Sequence, residues 1–183
     1  MNFDDYLKYF EQVLLDPASY PTYTNEEYYN YTKLNWSRTN RWLKKFEPSP
    51  AVRELMASIT TPQKWIIITE PWCGDAAHSV PQLYNIVKDH PFITLDIQLR
   101  DEAPFLIDNY LTNGGKSIPK LIIRDANDLD IAVWGPRPAL LQEVFLHLKE
   151  QGLNMNEIKE VVQKWYNEDK GVEIQKDILN LLA

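Results

Sequence analysis

The apolar positions of this chain change their period near residue 60. Before it they recur at helical spacing: Phe3, Tyr6, Leu7, Phe10, Val13 and Leu14 follow Asn2, a good N-cap, and Pro17 ends the pattern. That spacing predicts a helix over about residues 3–15. Thr24 with Glu27 three residues on reads as a capping box, opening a second helix that passes Trp36, Trp42 and Leu43 toward Phe46. Ser49-Pro50 starts a shorter third helix by placing proline at its first position, with Val52, Leu55, Met56 and Ile59 on one side.

From Trp65-Ile66-Ile67-Ile68-Thr69 the signal is different. This short β-branched run suits a strand buried on both faces. A helix is predicted over 74–88, with Val80, Leu83, Tyr84 and Val87 pointing one way, then a strand over 92–97 and a helix over 104–111. Leu121-Ile122-Ile123 reads as a third strand, Asp125 to Asp128 as a turn, and Ile131 to Trp134 as a fourth strand. An amphipathic helix over 138–150, with Leu141, Val144, Phe145 and Leu148 inward, and helical segments near 156–166 and 172–182 complete the chain. The predicted class is α/β: a parallel pair joined by a crossover helix and followed by a hairpin, making a mixed four-stranded sheet flanked by helices. At 183 residues the chain is expected to form one domain, with an N-terminal helical extension (1–60), a core (61–150) and a C-terminal helical extension (151–183).

Composition narrows the partners. Apolar residues at 44%, charged residues at 25% and six tryptophans are the signature of a packed protein rather than a disordered one. A net charge of -7 without a basic face argues against nucleic acid or an anionic membrane as partner. The aromatic cluster of Tyr20, Tyr23, Tyr28, Tyr29, Tyr31, Trp36 and Trp42 lacks the interleaved basic residues that nucleic-acid stacking needs, so it reads as packing or a partner surface. Met1 to Tyr6 has neither the basic nor the apolar region of a secretory signal, and no apolar run approaches the roughly 20 residues of a membrane span, so a cytoplasmic location is expected.

Cys73 is the single cysteine, which excludes an intramolecular disulfide and a cysteine-rich zinc site. His78, His90 and His147 have no ligand-like spacing, so neither a metal nor a resident cofactor is expected.

Trp72-Cys73-Gly74-Asp75-Ala76 lies between the first strand and its helix, and Ser117-Ile118-Pro119-Lys120 lies just before the third strand. These two motifs, in that element order, resemble the thioredoxin family over roughly residues 62–150. Within it the chain is similar to uncharacterised bacterial members with a cysteine-glycine-aspartate motif. The resemblance implies a thioredoxin-like fold with Cys73 as the nucleophile. It also implies a substrate groove lined by Trp72, Gly74, Asp75, Ile118 and a cis Pro119, the backbone of Ile118 pairing with an extended substrate. Two departures matter: Ala76 stands where the family has its second cysteine, and Ile67 where it has a buried acid. Turnover would therefore need an external thiol such as glutathione, and the implied partners are protein or small-molecule thiols and disulfides.

A cysteine that opens a helix meets unpaired N–H groups and the positive end of the helix dipole, so Cys73 is expected to be reachable and to have a depressed pKa. The alternative is a buried cysteine acting as a small apolar residue. Asp75 can accept N–H bonds in the first helical turn. His78 is expected at the surface, the other reading being a proton carrier for the thiol. Arg137, near Gly135 after the fourth strand, could offer a cation to an acidic ligand. Three functions follow as expectations: single-cysteine thiol or peroxide chemistry, a redox-inactive binding module on the same fold, and a carrier of a bridged iron–sulfur cluster.

Overall fold

Seven α-helices and four strands order residues 1–183 of the computed structural model. They are α1 (Phe3–Leu15), α2 (Glu26–Lys45), α3 (Pro50–Ser58), β1 (Gln63–Thr69), α4 (Gly74–Val87), β2 (Ile93–Leu99), β3 (Lys120–Arg124), β4 (Asp130–Trp134), α5 (Ala139–Glu150), α6 (Met155–Asp169) and α7 (Val172–Leu182). The sheet order is β2-β1-β3-β4, with β1 parallel to β2 and antiparallel to β3, and β3-β4 a hairpin. This is the mixed four-stranded sheet that the hydrophobic pattern predicts. Ile66, Ile67 and Ile68 alternate between the faces of β1 yet are all buried, because helices cover both faces of the central strand.

The core is continuous from the sheet into the flanking helices. Phe3, Tyr6 and Phe10 of α1, Trp42 of α2, Val52 and Met56 of α3, and Ile174 and Ile178 of α7 belong to the same apolar cluster as the β1 isoleucines. Each fully buried side chain of this size contributes about 1.5–3 kcal/mol by leaving water. The aromatic cluster serves this packing: Trp36 lies 5.1 Å from Phe10 between ring centres, and Tyr23 and Trp42 are buried.

Local chemistry corrects three expectations. The N-cap of α2 is Asn25, whose Oδ1 accepts from the N–H groups of Glu27 and Tyr28; Thr24 closes a 3₁₀ turn instead, its hydroxyl donating to Pro21. The reciprocal capping box of this chain is Asn154 with Glu157, at the start of α6. No α-helix forms over 104–111, only a 3₁₀ turn at Leu106–Asn109. Phe105 has a left-handed backbone (φ 55°) and Ile107 alone is buried, so that run holds too little apolar surface to seat a helix. In α5, Leu141 is fully buried while Val144, Phe145 and Leu148 are only half-buried.

Candidate functional site

Register brings the two motifs together. Ile68 pairs with Lys120 across β1 and β3, so the residues after β1 meet those before β3. Cys73 is the N-cap of α4, its N–H bonded to the carbonyl of Glu70 at 3.1 Å. Its thiol donates to the carbonyl of Ile118 at 3.3 Å, and the Ile118–Pro119 bond is cis. Gly135, at the end of β4, completes the contact. Its φ is +110°, and a Cβ there would collide with the carbonyl oxygen of Pro119, so glycine is required.

The state of the thiol is the reverse of the expectation. Cys73 is 7% exposed. Burial pushes the thiol up to about 12, and the Asp75 carboxylate adds to that, outweighing the N–H groups of Ala76 and Asp75 and the Arg137 cation. The helix terminus does face the sulfur, but desolvation of the thiolate exceeds it. Ile118 is also buried, and in this resting state its carbonyl accepts from the thiol.

Asp75 does not cap α4. It accepts from Arg137 Nη2 at 2.6 Å and from the Tyr166 hydroxyl at 2.9 Å, tying the motif to the segment before α5 and to α6. Arg137 is thereby committed to Asp75 rather than free for a ligand; it also rests 4.0 Å above the Phe145 ring and donates to Gln142. His78 is not at the surface but 1% exposed. Its Nδ1 accepts from Trp42 Nε1 at 2.9 Å, which leaves the proton on Nε2 to donate to Gln163 Oε1 at 3.1 Å, and Tyr166 stacks on the ring at 4.2 Å. Burial pulls its pKa down to about 3, the Arg38 and Arg41 cations acting in the same direction. An imidazole that stays neutral at neutral pH, joining α2, α4 and α6, is a structural tie whose single ring proton is held by Gln163 rather than passed to the thiol.

Sequence reasoning missed Glu70, three residues before Cys73. This carboxyl is 5% exposed; it accepts from the Asp101 N–H at 3.2 Å and the Tyr23 hydroxyl at 3.4 Å, and burial pushes it up to about 7. Trp72 lies between Tyr28 (ring centres 5.3 Å) and the Arg100 guanidinium (4.6 Å), and its indole N–H has no partner. Asn35, Arg38, Gln163 and Tyr166 were also missed. They lie on α2 and α6, far from the motif in sequence, and no local pattern marks them.

Those two helices wall a cleft of about 1000 Å³ whose floor is Trp72, Cys73, Gly74 and Asp75. Tyr28, Tyr31 and Arg38 line one side; Phe145, Ile158, Lys159, Gln163 and Tyr166 line the other. No group of three or more His, Cys, Asp or Glu side chains is disposed to hold a metal ion, and no helix is long and apolar enough to cross a membrane.

A four-stranded mixed sheet with a cysteine capping the helix after its first strand and a cis-proline opposite defines a thioredoxin-like protein. The sequence model of the thioredoxin family matches residues 22–170, and the chain belongs to that family. The fold is shared with a solved protein of unknown function from Pseudomonas aeruginosa (16% identity, TM-score 0.59, covering 80% of this chain and 82% of that one). It is shared equally with an HIV epitope-scaffold (16% identity, TM-score 0.57, covering 82% and 88%). No curated protein matches the sequence significantly.

Proposed function

We propose that this thioredoxin-family protein carries out thiol-disulfide exchange with Cys73 as its sole nucleophile and an external thiol, such as glutathione, completing the cycle in the reducing cytoplasm. The observation that carries this reading is the position of the Cys73 sulfur, on the floor of an open cleft and 3.3 Å from the carbonyl that precedes cis Pro119. In the first step the Cys73 S–H gives its proton to water in the cleft. The thiolate attacks one sulfur of a disulfide, the new S–S bond forms, and the other sulfur leaves as a thiolate. A second thiol then attacks the mixed disulfide, returning Cys73 and forming a disulfide of the two external halves. No resident cofactor or metal takes part.

Burial makes this a guarded nucleophile. With its pKa near 12, the thiolate fraction rises about tenfold per pH unit through the neutral and mildly alkaline range. The rate of mixed-disulfide formation with glutathione disulfide, followed by intact mass, should rise about tenfold with each pH unit from about pH 7 to about pH 10, without the plateau near 8.5 of a free cysteine. Cys73→Ser should give no adduct. The same burial favours a second reading, a redox-inactive binding module. An adduct that forms in urea but never in the folded protein, even at about pH 10, would establish that reading in place of the first.

A further inference from the structure

Three cations line the cleft, and one of them is not neutralised. Arg137 pairs with Asp75 at 2.6 Å, and Lys159 with Glu27 at 3.4 Å. Arg38 takes part in no ion pair; its one protein partner is Asn35, whose Oδ1 accepts from Nη1 at 2.8 Å. Asn35 is itself fully buried and donates through Nδ2 to the carbonyl of Pro71 at 2.9 Å, which fixes its amide and aims its oxygen at the guanidinium. The remaining N–H groups of Arg38 have no protein acceptor.

Arg38 also stands next to the reacting sulfur's own loop. A Cβ built on Gly74, the residue after Cys73, would lie in ordinary contact with its Nη1 at 3.9 Å, which places the guanidinium beside the start of α4. One turn along α2, Arg41 donates to Asn167 and likewise has no carboxylate, and its Nε is buried without a partner. Two half-buried guanidinium groups side by side repel one another, and a protein of net charge -7 has placed neither of them against an acid. An anion in the cleft would satisfy the free donors of Arg38 and offset the repulsion from Arg41.

We infer that Arg38 receives the anionic group of the substrate, and that the substrate class is a small thiol or disulfide bearing a carboxylate rather than an extended polypeptide. The inference rests on the assignment of thiol exchange to Cys73. The cleft volume suits a small molecule. In the resting protein the carbonyl of Ile118, the backbone acceptor that an extended chain would use, accepts from the thiol instead. Asn35 is then a positioning residue, acting through Arg38.

Two aromatic disulfides test this. One is anionic, 5,5'-dithiobis(2-nitrobenzoate); the other is neutral, 2,2'-dithiodipyridine. Each rate of Cys73 modification is normalised to the same reaction of the urea-unfolded chain, which cancels intrinsic reactivity. The folded protein should prefer the anionic reagent by about tenfold, the scale of one charge-assisted hydrogen bond. Arg38→Gln should abolish the preference while leaving the neutral reagent within about twofold, and Arg38→Lys should restore part of it. If Arg38→Gln does not fold, salt decides on the unaltered protein: raising it should slow the anionic reagent and not the neutral one. Equal normalised rates, unaffected by Arg38→Gln or by salt, would overturn the anion site and leave exchange at Cys73 standing. Failure of both reagents to modify the folded protein would overturn thiol exchange and this inference with it.

Discussion

Two carboxylates flank Cys73, Glu70 three residues before it and Asp75 two after, and the fold treats them in opposite ways. Both side chains are withdrawn from water. Asp75 meets a guanidinium in a two-pronged contact with Arg137 and a hydroxyl from Tyr166. Glu70 meets a peptide N–H and a tyrosine hydroxyl at longer range, the only nearby cation being Arg100, whose guanidinium is bonded to Asp101. Its pKa therefore rises to about 7, because burial disfavours the charged form and no partner makes up the loss. Burial alone does not set the charge of an acid; the geometry of its partner does.

The largest expected effect comes from breaking the compensated side. Arg137→Leu takes the cation from the mostly covered Asp75 carboxylate, and should lower stability in urea by about 3 kcal/mol, while adding Asp75→Asn should recover most of the loss. A loss below about 1 kcal/mol would show that Asp75 is solvated after all, and the contrast with Glu70 would disappear.

The uncompensated side should appear in the pH dependence. A carboxyl whose folded pKa is raised from 4.5 to about 7 adds stability that is complete below 4.5 and is lost as pH rises toward 7. His78, lowered from 6.5 to about 3, acts in the other sense: the stability of its neutral form is complete above 6.5 and is lost as pH falls toward 3. Between 4.5 and 6.5 the two slopes, each about 1.4 kcal/mol per pH unit, should nearly cancel. Glu70→Gln removes one of them. The variant should gain about 2–3 kcal/mol on the unaltered protein at alkaline pH, and below pH 6.5 it should lose stability with the histidine slope alone. Parallel pH profiles for the two proteins would mean that Glu70 is ionised in the fold at neutral pH.

The smallest effect sharpens the comparison rather than breaking it. Tyr166→Phe deletes one hydroxyl from the Asp75 cluster while keeping the ring stacked on His78, and should cost about 1 kcal/mol in a urea titration. Because Arg137 still neutralises Asp75, the stability profile between pH 5 and pH 8 should keep its shape.

Most of the scaffold was legible because it is built from local and periodic signals. The β1 isoleucine run, Ser49-Pro50 and the Asp125 to Asp128 turn each mark an element without reference to the rest of the chain. Cys73 and Pro119 were legible as a pair because each motif sits at a predictable end of a strand. The misreadings are at places where two local solutions compete. Asn25 and Thr24 are both acceptable caps, and the choice fell to the residue whose oxygen reaches two N–H groups.

The chain's own pattern determined the order of elements, the placing of Cys73 at a helix N-terminus and the absence of a resolving thiol, since period, motif position and a cysteine count are all properties of sequence. Tertiary structure alone decided the chemistry at that sulfur. Whether a thiol facing a helix terminus ionises depends on how much water is left around it, and the cleft over Cys73 is walled by α2 and α6, whose side chains lie about 40 residues before it and 90 after it. The same holds for His78, which reads as a surface residue until Trp42 and Gln163 enclose it. Desolvation and ion pairing are sums over neighbours in space, and a linear chain does not name those neighbours until it has folded.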